Sequence, residues 1–214
     1  MQQQTVRGQE RVSATEVIAA PAATVFAVLA DPTTHASIDG TGWVQQAADR
    51  APLTAAGQLF RMAMHHEQHP DGDYRTVNRV EVFDAPRAIG WITGQELGDG
   101  TLEFGGWLWR YDLVPLGGTA PDTDGETETE AATGTGAAAG TEAATEVTLS
   151  YDWSAVPQYV RDRGIQFPPF GPEHLGNSLH HLARLARTRT HTRIRTRTRT
   201  RTGLGLGQTR DAHM

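Results

Sequence analysis

The sequence of 214 residues contains no cysteine and no lysine, so its 19 basic residues are all arginine. The missing cysteines exclude disulfides, thiolate metal sites and cysteine nucleophiles. The missing lysines exclude Schiff-base catalysis and the lysine of a phosphate-binding P-loop. No apolar run approaches the roughly 20 residues that cross a bilayer, and Met1–Gln4 starts no apolar signal region. A soluble cytoplasmic protein without membrane insertion is therefore expected.

Hydrophobic residues are also scarce, at 38% of the chain. Three segments explain this shortage and are predicted to be disordered, namely residues 1–10, an acidic loop over 117–146, and an Arg-Thr-rich tail over 188–214. The acidic loop has no large apolar residue whose burial would offset the entropy lost on ordering. The tail carries charge that attracts anions, but it has no aromatic residue for base stacking, so no specific nucleic-acid partner is expected. Residues 11–187 remain as one domain.

Alternating apolar residues predict seven strands within this domain. Their short connections leave no room for crossover helices between parallel strands, so the sheet should be antiparallel. The predicted strands are 13–18, 43–47, 58–67, 74–83, 88–93, 107–116 and 147–153. Short helices are predicted over 21–29 and 33–38, and one or two helical turns over 157–163.

A longer helix is predicted to begin after Gly171-Pro172-Glu173. Its apolar residues recur at helical spacing, at Leu175, Leu179, Leu182 and Ala186. The order of elements is therefore a strand, two short helices, six further strands and a long C-terminal helix. This order places the chain in the α+β class.

The sequence resembles the START-like superfamily, also called SRPBCC, and within it the actinobacterial polyketide cyclase/dehydrase-like branch. The matching stretches span nearly all of residues 11–187. They are VIAAPAATVFAVLADPTTHASIDG (17–40), FRMAMHH (60–66), YRTVNRVEVFDAPRAIGW (74–91), GGWLWRYDLVPL (105–116), TEVTLSYDWSAV (145–156) and FPPFGPEHLGNSLHHLARLA (167–186). The resemblance implies a helix-grip fold, in which a curved antiparallel sheet wraps around the long C-terminal helix and encloses a cavity.

Three functions are compatible with this resemblance. The first is binding of a small hydrophobic or aromatic ligand in the cavity without catalysis. The second is a polyketide cyclase or dehydratase in which histidine, asparagine or tyrosine side chains move protons without a cofactor. The third is a regulatory or chaperone-interacting module. The sequence does not choose between an enzyme and a carrier, and it leaves the oligomeric state open.

Strand parity predicts which side chains line the cavity. Phe60, Met62 and Met64 share one face of their strand with His66, and the large aromatics of the later strands share faces in the same way. The predicted ligand-binding residues are Met62, Met64, His66, Asn78, Trp91, Trp107, Trp109, Tyr111, Tyr151, Trp153, Phe170, His174, Ser178 and His181. Plain core packing is the alternative for the aromatics, and a half-exposed helix face is the alternative for the helix residues.

Three of these residues are candidates for catalysis. His66, Asn78 and His181 carry groups that exchange protons or bind oxygen, and catalysis requires them to converge in the cavity. For Asn78, the alternative is a hydrogen bond to a neighbouring strand. His35 and Asp39 lie where a ligand could pass, although an ordinary surface histidine and an ordinary Asp-Gly turn explain them equally well.

The number of histidines could suggest a metal-binding site, but we do not expect one. His65 and His66 point to opposite faces of one strand and cannot bind the same interior ion, while His69 lies in a turn. A zinc site needs about three converging ligands, and neither an HExxH helix nor a cysteine is present. No metal and no other cofactor is therefore predicted.

Overall fold

The structure is a computed structural model that describes residues 10–67, 69, 71–117 and 143–203, with side chains up to Thr190. The described residues do not include residues 1–9, most of the acidic loop or the end of the tail. The predictions of disorder for these segments therefore concern residues outside the described part of the chain. Glu10 is placed firmly, because its carbonyl accepts the Trp153 N–H at 2.8 Å and its carboxylate pairs with Arg161 at 2.8 Å.

Seven strands form one antiparallel sheet in the order β1-β7-β6-β5-β4-β3-β2. They are β1 (Arg11–Ile18), β2 (Val44–Ala47), β3 (Leu59–His65), β4 (Asp73–Asp84), β5 (Ala88–Glu96), β6 (Leu102–Leu116) and β7 (Ala144–Asp152). The α+β class and the antiparallel sheet are confirmed. Register shifts between Val80 and Val82 and between Ile92 and Gly94 mark irregularities that bend strands, and the sheet curls into a half-barrel.

Four helices accompany the sheet within the described residues. They are α1 (Ala22–Leu29), α2 (His35–Ile38), α3 (Gln158–Arg161) and α4 (His174–Gly203), with a 3-10 turn at Pro32–Thr34 before α2. Pro21 keeps an extended backbone and precedes α1, so this helix begins one residue later than predicted. After α1, the Asp31 carboxylate accepts the Thr33 N–H at 3.1 Å and organises the turn into α2.

The core lies between the concave face of the sheet and α4. Leu175, Leu179 and Leu182 have no exposed surface, and Ala186 has none either. They form the apolar stripe that the spacing predicts, and each buried leucine contributes about 2 kcal/mol of hydrophobic stabilisation. The same helix packs against β1, α1 and α2, which fixes it across the sheet.

The tail differs from its prediction, because α4 continues past residue 187 to Gly203. Arginine has a helix propensity close to that of leucine, and no glycine or proline interrupts residues 177–202. Thr190 donates its hydroxyl to the Ala186 carbonyl at 3.0 Å, and Arg189 pairs with Asp31 at 3.0 Å. These contacts fix the helix beyond its apolar stripe.

The predicted acidic loop is also shorter than expected, because β7 begins at Ala144. Thr145 has no exposed surface, and its hydroxyl donates to the Ala20 carbonyl at 2.7 Å. This bond fixes the start of β7 beside the start of α1. Within the described part of the chain, no helix is long and apolar enough to span a membrane.

Candidate functional site

A cavity of about 320 Å³ lies between the concave face of the sheet and helices α2 and α4. Most of the predicted ligand-binding residues line it. These are Met62, Met64, Asn78, Trp91, Trp107, Trp109, Tyr111, Tyr151, His174 and Ser178. Strand parity identified the strand residues among them, since alternate residues of a strand face the same side of a sheet.

Two rows of side chains cross β5, β6 and β7 on this concave face. Strand register places Trp91 beside Trp109 and Trp109 beside Tyr151. The Trp109 and Tyr151 ring centroids are 4.5 Å apart. In the next row, Tyr111 lies beside Leu149. The wall that results is rich in aromatic side chains, a surface suited to planar apolar ligands.

Four predicted ligand-binding residues do not line this cavity. His66 and Phe170 line an adjoining outer cleft, whereas Trp153 and His181 line neither space. His66 lies one residue past the end of β3, where its ring meets the edge of Trp43 at 4.5 Å, so strand parity no longer applies to it.

The other exceptions have similar local causes. Trp153 follows the last residue of β7 and stacks on Phe167 at 6.4 Å, which places it in the core. His181 lies two helical turns beyond His174, and its Nδ1 lies 3.1 Å from the Asp39 carbonyl. Of the three catalytic candidates, only Asn78 lines the cavity, so the structure does not bring His66, Asn78 and His181 together there.

His35 lines the cavity, so of its two open interpretations the structure favours a residue within reach of a ligand over an ordinary surface residue. It is 6% exposed and its ring stacks on Trp91 with centroids 4.9 Å apart. Its Nε2 lies 2.9 Å from the Leu29 carbonyl, and a carbonyl only accepts, so Nε2 carries the proton. Burial lowers the pKa of His35 below 6.5, against the hydrogen bond to Leu29, so the imidazole is neutral with Nδ1 unprotonated.

His174 is the second buried histidine of the cavity wall. It is the first residue of α4, is 6% exposed and packs against Phe170 with centroids 4.5 Å apart. Burial lowers the pKa of His174, while the charge of Asp39 and a hydrogen bond with the Gly40 backbone oppose this effect. Its Nδ1 is buried without a hydrogen-bond partner in the described part of the chain. A neutral histidine thus keeps an unused polar atom beside the cavity.

Two tyrosine side chains also bring hydroxyl groups to the cavity wall. Tyr111 is 5% exposed and Tyr151 is 1% exposed, and both line the cavity. Neither hydroxyl makes a hydrogen bond with any described residue. Burial raises the pKa of both phenols well above the usual value, so both remain protonated donors at neutral pH.

Part of the Asn78 side chain has a structural role. Thr93 donates its hydroxyl to Asn78 Oδ1 at 2.8 Å, and Asn78 Nδ2 lies 3.4 Å from the Phe60 carbonyl. The amide therefore links β4 to both neighbouring strands, as the structural alternative predicted. It still lines the cavity, where an amide N–H can meet a ligand oxygen.

Asp39 brings a carboxylate to the cavity wall. It is half-buried at the end of α2, and it organises the loop into β2. Its Oδ2 accepts the Val44 N–H at 3.0 Å, and its Oδ1 accepts the Thr41 N–H at 3.2 Å. The sequence indicated an Asp-Gly turn here. That this turn packs against the cavity is a tertiary contact, which no local sequence pattern reveals.

The outer cleft joins the cavity at its mouth. The two spaces share Trp43, Tyr74, Trp107 and His174 among their walls, and the cleft is more open and more polar, with a volume of about 1660 Å³. Its histidines do not assemble a metal site, because nowhere in the described residues do three or more potential metal ligands converge. A ligand can therefore place an apolar part inside and a polar part at the mouth.

Comparisons with known proteins identify the fold and nothing finer. No protein-family model and no curated protein matches the sequence. The structure is similar to that of protein Ms6760 from Mycobacterium smegmatis, with a TM-score of 0.52 at 15% identity, covering 88% of this chain and 98% of that one. It is also similar to protein NE0264 from Nitrosomonas europaea, with a TM-score of 0.53 at 13% identity, covering 87% and 99%.

A third similar structure comes from Arthrobacter aurescens and was determined in solution. Its TM-score is 0.54 at 13% identity, covering 87% of this chain and 91% of that one. The structural similarity indicates a shared fold. Sequence identities this low say nothing about chemistry, so the function of the site must be argued from its own residues.

Proposed function

We propose that the chain is a START-like, helix-grip protein that binds a small hydrophobic or aromatic ligand in the cavity. Two independent features support this proposal. The sequence stretches that resemble the superfamily fall on the strands and helices that build the cavity wall. The curled sheet and the C-terminal helix have the order and pairing that the resemblance implies.

The observation that carries the proposal is the composition of the wall. Ligand pockets are mostly apolar and aromatic, with a few polar groups that orient the ligand, and they span about 300–1,000 Å³. The cavity of about 320 Å³ has this composition, with Trp91, Trp109 and Tyr151 side by side. The free hydroxyls of Tyr111 and Tyr151 supply orienting donors. A hydrogen bond from one of these hydroxyls to a ligand oxygen would contribute about 0.5–1.5 kcal/mol.

Catalysis by the predicted set is less well supported than binding. A cyclase or dehydratase requires proton-transfer groups within hydrogen-bond reach of one substrate. His66 lines the outer cleft and His181 contacts the Asp39 backbone, so Asn78 alone remains in the cavity. We therefore propose ligand binding as the function of the cavity.

Native mass spectrometry of freshly purified protein tests this proposal. We expect a co-purifying small molecule, or binding of added naphthol with a rise in melting temperature of about 5 °C at saturating ligand. Naphthol is a suitable probe because its flat rings match the aromatic wall and its hydroxyl matches the tyrosines.

A variant that fills the cavity provides the control. Thr76 lines the cavity from β4, and Thr76→Phe should abolish the naphthol response while leaving the fold intact. The matched variant Thr15→Phe lies on the exposed face of β1 and should respond as the wild type does. An empty wild-type protein without a naphthol response, or an equal response from Thr76→Phe, would refute the proposal.

A further inference from the structure

We propose that Asp39 makes the cavity selective for charge, so that it accepts aromatic ligands carrying a protonated amine and rejects aromatic carboxylates. This inference rests on the proposed function, because it names the class of ligand that the same cavity takes. It depends on three features of the wall, which concern the carboxylate, the missing cations and the surrounding rings.

The carboxylate of Asp39 is a charge without a counterion. Its oxygens accept hydrogen bonds from the Val44 N–H, the Thr41 N–H and the Thr41 hydroxyl, all of which are neutral donors. No ion pair between described residues includes it. His181 approaches the backbone carbonyl of Asp39 and not the carboxylate. Three donors leave one of the roughly four acceptor positions of a carboxylate unused.

Several other acidic side chains of the described domain pair with an arginine. Asp31 pairs with Arg189 at 3.0 Å, and Asp112 pairs with Arg110 at 2.6 Å. These pairs lie outside the cavity, where water also screens the charges. Among the described residues, only Asp39 brings an acidic side chain into the cavity wall, where its charge is screened less.

The rest of the wall supplies no positive charge. The chain contains no lysine, and no arginine is found among the described residues that line the cavity. The two histidines of the wall, His35 and His174, are held neutral by burial, which lowers the pKa of each. A ligand carboxylate inside the cavity would lose its hydration, face the charge of Asp39 and find no cation to replace its water. Arg75 and Arg163 line the outer cleft and not the cavity.

Aromatic rings line the same cavity, and such rings suit a cation. Trp43, Tyr74 and Tyr111 line the cavity with Asp39. The charge of Asp39 reaches both tyrosines, since it adds to the effect of burial in raising the pKa of Tyr74 and of Tyr111. The faces of aromatic rings attract ammonium groups. An ammonium group near Asp39 would therefore meet both a carboxylate and ring faces.

Three ligands of one shape and different charge test the inference on the intact protein. They are naphthylmethylamine, naphthylmethanol and naphthoate, all of the same ring isomer, with affinities measured by titration calorimetry at neutral pH and low salt. We expect the amine to bind at least about tenfold more tightly than naphthoate, with the neutral alcohol between them.

Substitution of Asp39 identifies the source of the preference. Asp39→Asn removes the charge and should reduce the difference between amine and naphthoate to about twofold. Asp112→Asn is the matched control, because it removes one negative charge from the pair with Arg110 outside the cavity and should retain the preference. Circular dichroism verifies that each variant is folded.

The outcomes separate this inference from the proposed function. If the alcohol binds but amine and naphthoate bind equally, or if folded Asp39→Asn keeps the wild-type preference, the charge selectivity is wrong and ligand binding stands. If none of the three compounds binds, the proposed function fails and the inference fails with it. Should Asp39→Asn not fold, the wild-type affinities decide, and naphthoate binding as tightly as the amine overturns the inference.

Discussion

His35 donates its Nε2 proton to the carbonyl oxygen of Leu29 at 2.9 Å, across the turn that joins α1 to α2. The same ring stacks on Trp91 of the sheet at 4.9 Å. One buried histidine therefore ties the short helices to the aromatic wall and fixes its own tautomer, which leaves Nδ1 as an acceptor.

Stability should fall as the pH drops below 6.5, because His35 and His174 are buried in neutral form and their pKa values lie below that of an unfolded histidine. The unfolded chain takes up protons there before the folded chain does, so acid favours unfolding. Melting temperatures between about pH 7.5 and about pH 5 measure this loss. His35→Gln should flatten the slope, while His180→Gln, at an exposed position, should leave it unchanged. A slope that His35→Gln does not alter would contradict this assignment.

Gly40→Ala should destabilise the fold by about 1–3 kcal/mol. A Cβ atom at Gly40 would overlap the His174 carbonyl oxygen and lie 2.8 Å from Ser178 Oγ, so the loop after α2 and the start of α4 would have to separate. Gly98→Ala is the control, because its Cβ would meet no atom within 4 Å. Urea unfolding compares the two variants, and equal stabilities would show that the approach of Gly40 to α4 is not required.

Arg189→Gln should lower stability by up to about 1 kcal/mol, since its ion pair with Asp31 is partly exposed. Arg189 also donates to the Ala27 carbonyl at 3.2 Å, so it joins the C-terminal part of α4 to the end of α1. Arg184→Gln, at an exposed position of the same helix, should change little. Urea unfolding at low and high salt measures the difference, which salt should reduce. An Arg184→Gln loss as large as that of Arg189→Gln would instead indicate a general effect of helix charge.

Tyr111→Phe should leave stability unchanged or raise it slightly, because the hydroxyl makes no hydrogen bond with a described residue. The same variant should weaken naphthol binding about three- to tenfold, the loss of one hydrogen bond. Melting temperature and titration calorimetry measure the two effects. Thr93→Val serves as a contrast, since it removes a hydroxyl that Asn78 uses and should lower stability. A stability loss in Tyr111→Phe would mean that the hydroxyl has a structural role.

The strand residues of the site could be predicted because successive side chains of a strand point to opposite faces of the sheet, with a period of two residues that depends only on the local backbone. Met62, Met64, Trp109 and Tyr151 were assigned to the cavity in this way, and they line it. The rule stopped at the strand ends. His66 and Trp153 follow the last residues of β3 and β7, where the backbone no longer alternates and turn or core contacts decide the direction of the side chain.

Residues of the short helices could not be assigned to the cavity from the sequence. His35 and Asp39 lie in the connection between β1 and β2, outside any strand, so alternation does not apply to them and local patterns are also compatible with an ordinary surface. Only the return of α2 across the cavity, fixed by Gly40 against α4 and by His35 against Leu29, places them on the wall.

Seven strands along the chain, the apolar stripe of the long helix and the exclusion of cysteine and lysine chemistry could all be derived from the amino-acid sequence, because they depend on composition and on short-range periodicity. The tertiary structure decided which polar groups meet in the cavity. Packing brings a neutral His174, the hydroxyls of Tyr111 and Tyr151 and the charge of Asp39 to one largely apolar wall, although these residues are spread from position 39 to position 174 of the chain. That convergence arises from the packing of α2 and α4 against the curled sheet, a long-range arrangement that local patterns do not encode.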